Sequence, residues 1–332
     1  MIRKTLLIAV VLSLAIGGAA AYALVRTPEP GERVQVEVQA GQSTTAVAAM
    51  LERREIVPSA LAFRLVAKAR RLDGRIEAGS YELRRNMGVQ AALDALSRGA
   101  VTKSVTITIP EGYTVKQVAR KVGSRGPVSQ QDFMQVAESG RVRPKILPDR
   151  VRSLEGFIFP ETYVIEEKDT AEQLLTRMVQ EFESKTSALD WSEAESKGLT
   201  RHQALVLASL VEREAKVAED RAKVAAVIYN RLAKGMALQI DATLLYELPA
   251  HKVPTRKDRK RDSPYNTYTR KGLPPTPIAN PGLEAIRAAL QPAPIDALYY
   301  VVIDKSGRHG FTKDYNEFLR LTKLTPRESR GG

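Results

Sequence analysis

The chain has no cysteine among its 332 residues. That excludes disulfides, thiolate metal sites and a cysteine nucleophile, but leaves the compartment open, because an oxidising space tolerates a cysteine-free protein. Histidine is nearly as scarce. His202, His251 and His309 are scattered along the chain. No pair falls at metal-ligand spacing, so neither a zinc site nor another metal or cofactor is expected. Also missing is any nucleic-acid motif, whether paired helices with a recognition face or an aromatic strand signature. The formal net charge of +13 therefore points to an anionic membrane surface or an acidic polymer rather than to nucleic acid.

What is present is ordinary globular composition, 43% hydrophobic and 27% charged, over a length that calls for two or three domains. One apolar run, Leu6 to Val25, is long enough to cross a bilayer as a helix. Arg3 and Lys4 precede it, which keeps the N-terminus cytoplasmic and exports the remainder. Ala21-Tyr22-Ala23 resembles a signal-peptide cleavage site. The run is long for a signal sequence, and an uncleaved single-pass anchor over residues 1–26 is the reading taken.

After a short Pro- and Gly-containing linker, Val34–Val38 alternates as a strand, and a turn and an amphipathic helix over Ala46–Glu52 follow. The pattern recurs as Val105–Ile109, the turn Pro110-Glu111-Gly112 and a helix over Thr114–Val122. Helices around Leu61–Arg71 and Val89–Ser97 lie between the copies. A strand–turn–helix unit used twice resembles LysM-like modules that bind glycan; a plain spacer fits the pattern equally well. Leu154–Tyr163 concentrates aromatics, proline and carboxylates, a composition shared by sugar-binding surfaces and by domain junctions. Amphipathic helices follow over Ala171–Ser184 and Arg221–Lys234. The stretch Ser263–Gly282 holds too much Pro, Gly and Asn for regular structure. Leu298–Ile303 then reads as a strand, with Asp304–Gly307 as its turn.

The candidate chemistry lies in Leu205–Val217, read as one helix with two carboxylates on an apolar run. At about 100° per residue, Glu214 falls inside the arc of Leu207, Leu210 and Val206, whereas Glu212 falls at its edge. A carboxylate on the core side of a helix costs free energy unless it is paired or stays protonated. A protonated carboxyl near neutral pH is what a general acid needs. Pairing with a nearby Arg or Lys is the competing reading.

The order of motifs, SLVEREAKVAEDRAKVAAVIYNRL, GMALQIDATLLY, SPYNTY, GLPPTPIANPG and LYYVVIDKSGRHGF, resembles the endolytic murein transglycosylases, the YceG-like family of the bacterial inner membrane. EGFIFPETY and the N-terminal apolar run match as well. The chain departs from the family pattern at Tyr315-Asn316, where His-Asn is usual, and at Glu161, where Asp is usual. The resemblance implies cleavage of the β-1,4 bond between N-acetylmuramic acid and N-acetylglucosamine within peptidoglycan strands. The muramoyl 6-hydroxyl replaces water and leaves a 1,6-anhydro end, and one carboxyl serves as acid and then base. It places the catalytic role on Glu214, with Glu212 as the alternative. Gln239, Asp241, Tyr265, Asn266, Tyr268 and Glu161 are the candidate substrate contacts; the competing readings are that Asp241 begins a turn, that Tyr265, Asn266 and Tyr268 pin the long loop, and that Glu161 pairs with an arginine.

The expected fold is α+β. A transmembrane anchor (1–26) precedes a LysM-like subdomain (33–125), a mixed α/β catalytic domain (126–325) in the periplasm and a polar tail (326–332). The resemblance also implies a role in ending strand elongation and association with cell-wall synthases. A two-carboxylate hydrolase pairing Glu214 with Asp241 or Glu161, and a non-catalytic glycan-binding scaffold, are the other functional classes in play.

Overall fold

The two alternating segments each become one strand of an antiparallel ribbon, and each ribbon closes through a second strand much further along the chain. In the computed structural model, residues 30–100, 104–248 and 254–324 are described. The chain divides into two compact units, Met1–Lys103 and Ser104–Gly332. The expected anchor and the 326–332 tail lie outside the described residues. Among the described residues no helix is long and apolar enough to cross a membrane.

In the first unit, β1 (Arg33–Val38) pairs with β2 (Gly79–Arg84), from Arg33 opposite Arg84 to Val38 opposite Gly79. Between them run α1 (Thr44–Arg53) and α2 (Ala60–Ala69), and α3 (Gly88–Ser97) follows. Ser43 and Ser59 start α1 and α2 by accepting the N–H groups of Ala46 and Ala62, donors that would otherwise lack a partner. The period-two pattern turns Val36, Val38, Tyr81 and Leu83 inward, where they pack on Val47, Leu51, Phe63 and Leu93.

The second unit begins with the same arrangement. β3 (Ser104–Thr108) pairs with β4 (Thr162–Glu166), and α4 (Val115–Gly123) and α5 (Gln130–Ser139) lie between them. The second copy of the repeat, which the sequence reading grouped into a 33–125 subdomain, thus belongs to the second unit, because β3 takes its partner strand from residues 162–166. The Leu154–Phe159 segment is core: Leu154, Phe157 and Ile158 are fully buried, with Phe157 set edge-on to Phe182 at 5.2 Å. Its rings stabilise the junction and are not available to stack on sugar.

The rest of the unit is α6 (Ala171–Thr186), α7 (Ser192–Ser196), α8 (Arg201–Glu214), a 3-10 turn (Ala218–Asp220), α9 (Arg221–Ala233), α10 (Asp241–Glu247), α11 (Leu283–Leu290), the β5 (Tyr299–Val302) and β6 (His309–Thr312) hairpin, and α12 (Tyr315–Leu321). Capping boxes open α4, α6 and α8, each a Thr with a Gln three residues on: Thr114/Gln117, Thr170/Gln173 and Thr200/Gln203. Each fixes a helix start and contributes about 1 kcal/mol. Gly235, in the left-handed region at φ 61°, ends α9 as its sequence position implies. α8 is the central element. Residues Ala204–Val211 are all buried, and the helix packs against α9, α10 and α11.

Candidate active site

The expected helix over Leu205–Val217 stops three residues early. Ala215 turns to an extended conformation (φ −87°, ψ 105°), and the chain reverses through the 3-10 turn so that α9 can lie back along α8. Glu214 is therefore the last residue of α8, and Ala215 and Val217 do not extend its apolar face. The helix end matters electrostatically, because a carboxylate there meets the negative end of the helix dipole.

Glu212 and Glu214 leave the helix in opposite directions, as their spacing requires. Glu212 accepts the Gly282 N–H at 3.0 Å and lies near Glu111. A Cβ at Gly282 would collide with the Glu111 carboxylate, so Glu111 and the Gly282 backbone meet closely on this side of the helix. Glu214 instead opens into a cleft of about 390 Å³. Its Oε2 accepts the Tyr300 hydroxyl at 2.9 Å. Among the described residues Glu214 has no salt bridge, so the competing ion-pair reading does not hold. Burial, reinforced by the negative charge of Asp241, pushes its pKa above the ordinary value of 4.5; the Tyr300 hydrogen bond opposes this. The shift is toward the protonated form, the state a general acid needs.

Gln239, Asp241 and Tyr268 line the same cleft. Gln239 adopts the left-handed region at φ 54°, an uncommon conformation for a residue with a side chain. It is held there by its N–H bond to Thr267 O at 3.0 Å and by the Arg231 Nη1–Oε1 contact at 3.4 Å. Asp241 begins α10. It accepts the Tyr268 hydroxyl at 2.7 Å and pairs with the Arg259 guanidinium at 3.1 Å. Arg259 also lies over the Tyr268 ring.

Three expected substrate contacts are elsewhere. Tyr265 shares a 2.7 Å hydrogen bond with Thr276 and packs on Tyr246. Asn266 is fully buried; it donates to the carbonyls of Arg261 and Arg259 and accepts the Tyr268 N–H. These two pin the long loop that carries Tyr268 and do not line the cleft. Glu161 is exposed, pairs with Lys185 at 3.5 Å and accepts the Thr162 N–H. It too lies off the cleft.

Tyr300, His309 and Arg231 line the cleft without having been singled out for it. Tyr300 sits in an apolar strand motif whose alternation gives no sign that its hydroxyl meets Glu214. Arg231 is nearly buried. It donates to the carbonyls of Leu298 and Leu238, each at 2.7 Å, and lies over the Tyr299 ring, tying β5 to the 237–239 segment. A larger hollow of about 520 Å³ beside Trp191 holds Glu183 and Glu195, but these are engaged with Lys145 and Arg201. Asp190 lines it too, but accepts the Ser192 N–H at 2.9 Å, which holds its pKa below the ordinary value; of the acids in these two hollows, Glu214 is the one whose pKa is raised.

Comparison with known proteins gives a consistent picture. The pattern of the YceG-like family matches residues 36–323. The chain is 34% identical to the endolytic murein transglycosylase of Bacillus subtilis (strain 168), over 92% of this chain and 89% of that protein. It is 32% identical to the endolytic murein transglycosylase of Streptococcus pneumoniae (strain ATCC BAA-255 / R6), over 83% of this chain but only 55% of that longer protein. The crystal structure of the putative yceG-like protein lmo1499 from Listeria monocytogenes superposes with a TM-score of 0.58 at 33% identity, over 88% of this chain and 99% of that one.

Proposed function

Since the chain belongs to the YceG-like family, we propose that it is an endolytic murein transglycosylase whose acid and base is Glu214. The observation that carries the reading is a carboxyl without a salt bridge among the described residues that lines a cleft, accepts the Tyr300 hydroxyl and has its pKa raised by burial. Glu214 gives its proton to the glycosidic oxygen as the bond from the muramoyl C1 to that oxygen breaks. The muramoyl 6-hydroxyl bonds to C1, and the Glu214 carboxylate takes the hydroxyl proton. The products are a 1,6-anhydro end and a new N-acetylglucosamine end, and the acid is restored. Gln239 and Asp241 orient the sugar and its N-acetyl group beside it.

The test is Glu214→Gln in the full chain, incubated with purified sacculi. The variant keeps its unfolding midpoint and releases no anhydro-muropeptides; wild-type product from it would defeat the assignment. Asp241 in the same cleft is the observation that favours a two-carboxylate hydrolase. Its pairing with Arg259 and Tyr268 gives it a positioning role instead. Mass spectrometry separates the two, because a hydrolase leaves ends heavier by one water.

In the finer reading, Leu6–Val25 anchors the chain in the inner membrane and places the catalytic unit in the periplasm near cell-wall synthases, where cleavage ends nascent strand elongation. The first unit's closed strand–helix–helix–strand module supports the LysM-like, glycan-binding role. Deleting residues 1–29 should move the chain out of the membrane fraction; retention there would count against the anchor.

A further inference from the structure

His309 opens β6, opposite Val302 of β5, and lines the cleft that holds Glu214. Its surroundings are more specific than a strand end needs. The carboxylate of Asp220, buried in the 3-10 turn after α8, accepts the His309 backbone N–H at 2.7 Å. The same oxygen lies 3.1 Å from the ring Nδ1. Had Nδ1 carried a lone pair, two acceptors would face each other at hydrogen-bond distance with nothing between them. The proton therefore resides on Nδ1, and in the neutral ring Nε2 carries the lone pair.

Among the described residues, the buried side-chain nitrogens that lack a partner are His202 Nε2 and Arg221 Nε. No hydrogen bond to His309 Nε2 is found among the described residues, yet Nε2 is not one of these sealed atoms, and the residue lines the cleft. Burial lowers the imidazole pKa below its usual 6.5 against the opposing pull of Asp220, which keeps the ring neutral and Nε2 an acceptor at neutral pH. The Tyr300 ring stands edge-on to the His309 ring at 5.3 Å, and its hydroxyl bonds Glu214. Acid and acceptor thus flank one tyrosine.

We propose that Asp220 and His309 form a dyad that presents the Nε2 lone pair to a sugar hydroxyl, fixing the saccharide against Glu214. His309 touches substrate, and Asp220 is a positioning residue that sets the tautomer. The proposal rests on the glycan-cleaving reading of the cleft. A purely structural alternative, in which Asp220 only anchors β6, is met by the same backbone bond and must be separated by experiment.

His309→Asn does so. The carboxamide nitrogen of Asn stands where Nδ1 stood and keeps the Asp220 bond, but no atom remains at the Nε2 position. In the full chain acting on glycan strands, kcat/KM should fall about tenfold or more, the loss expected for one substrate hydrogen bond in a shielded site, with the unfolding midpoint unchanged. His309→Gln places a carbonyl oxygen near the Nε2 position and should recover part of that loss. Wild-type kcat/KM in His309→Asn, or a folded His309→Gln no better than His309→Asn, would overturn the proposal. A wild-type chain that releases no anhydro product would instead overturn the transglycosylase reading. The dyad would then be judged on glycan affinity in the Glu214→Gln background, which His309→Asn must still weaken about tenfold.

Discussion

Tyr300→Phe is the sharpest perturbation of the proposed acid. The substitution removes one oxygen from a half-buried ring and leaves its packing in place. In the native cleft the Tyr300 hydroxyl donates to Glu214 Oε2 at 2.9 Å, and it stabilises the ionised carboxylate against the burial and the Asp241 charge that favour the proton. Hydrogen bonds to charged groups contribute about 1.5–3 kcal/mol. Water in the cleft replaces part of that, so the lower end applies. Since about 1.4 kcal/mol corresponds to one pH unit, the Glu214 pKa should rise by about one unit. The sign follows from the role: the acid works while protonated, and activity is lost as pH rises through its pKa. The alkaline limb of kcat, measured by release of anhydro-muropeptides from sacculi across pH, should therefore move up by about one unit in Tyr300→Phe. A limb that stays in place or moves down would refute the assignment of Glu214 as the titrating acid or of Tyr300 as its partner.

Asp241→Asn should move the same limb down, because it removes the negative charge that raises the Glu214 pKa; an upward shift would count against the electrostatic coupling. Glu155, buried against the Val115 N–H and the Tyr246 hydroxyl, has its pKa pushed by burial from 4.5 to about 8. Folding therefore favours its protonated form, so its contribution to stability is fully present below about 4.5 and is lost as pH rises through about 8. Chemical denaturation of Glu155→Gln between those pH values should show that slope removed. Glu161→Ala should leave kcat/KM unchanged and cost less than about 1 kcal/mol, since it breaks only an exposed ion pair; a tenfold loss of activity would return Glu161 to the cleft.

Signals that act within a few residues were legible in the sequence. Helix starts at Thr114, Thr170 and Thr200 are local chemistry, and so is the divergence of Glu212 and Glu214 on one helix. Gln239, Asp241 and Tyr268 line the cleft with Glu214, and their motifs follow α8 in the order in which the chain runs. What was not legible was pairing at a distance. β4 is marked as a strand only by its partner β3, across the two intervening helices, and a boundary at 125 separates these two partners. Tyr265 and Asn266 carry the same side-chain chemistry as a sugar-binding site. Only their fully engaged hydrogen bonds show that they hold the loop instead. Tyr300 and His309 reach the cleft because the β5–β6 hairpin lies beside the end of α8, a placement that no local periodicity records.

A raised carboxyl pKa does not by itself identify the acid. Burial raises three glutamates in the second unit, Glu155, Glu212 and Glu214, and they differ in what they face. Glu155 is 2% exposed and spends its oxygens on a helix N-terminus and a tyrosine, so its proton stabilises a junction and no substrate reaches it. Glu212 is turned toward the Gly282 N–H on the side of α8 where Glu111 and the Gly282 backbone meet closely. Glu214 is also raised by burial but is only half-buried; it ends its helix where the chain reverses, and it lines a cleft walled by Gln239, Asp241, Tyr268 and the β5–β6 hairpin. The early stop at Ala215, which the apolar periodicity argues against, leaves the proposed acid at the end of its helix. One more helical turn would carry Ala218 and Glu219 up the axis and leave no chain to fold Asp220 back toward His309. The break in α8 leaves the acid at the helix end, and the same break sets up the dyad proposed to hold the sugar against it.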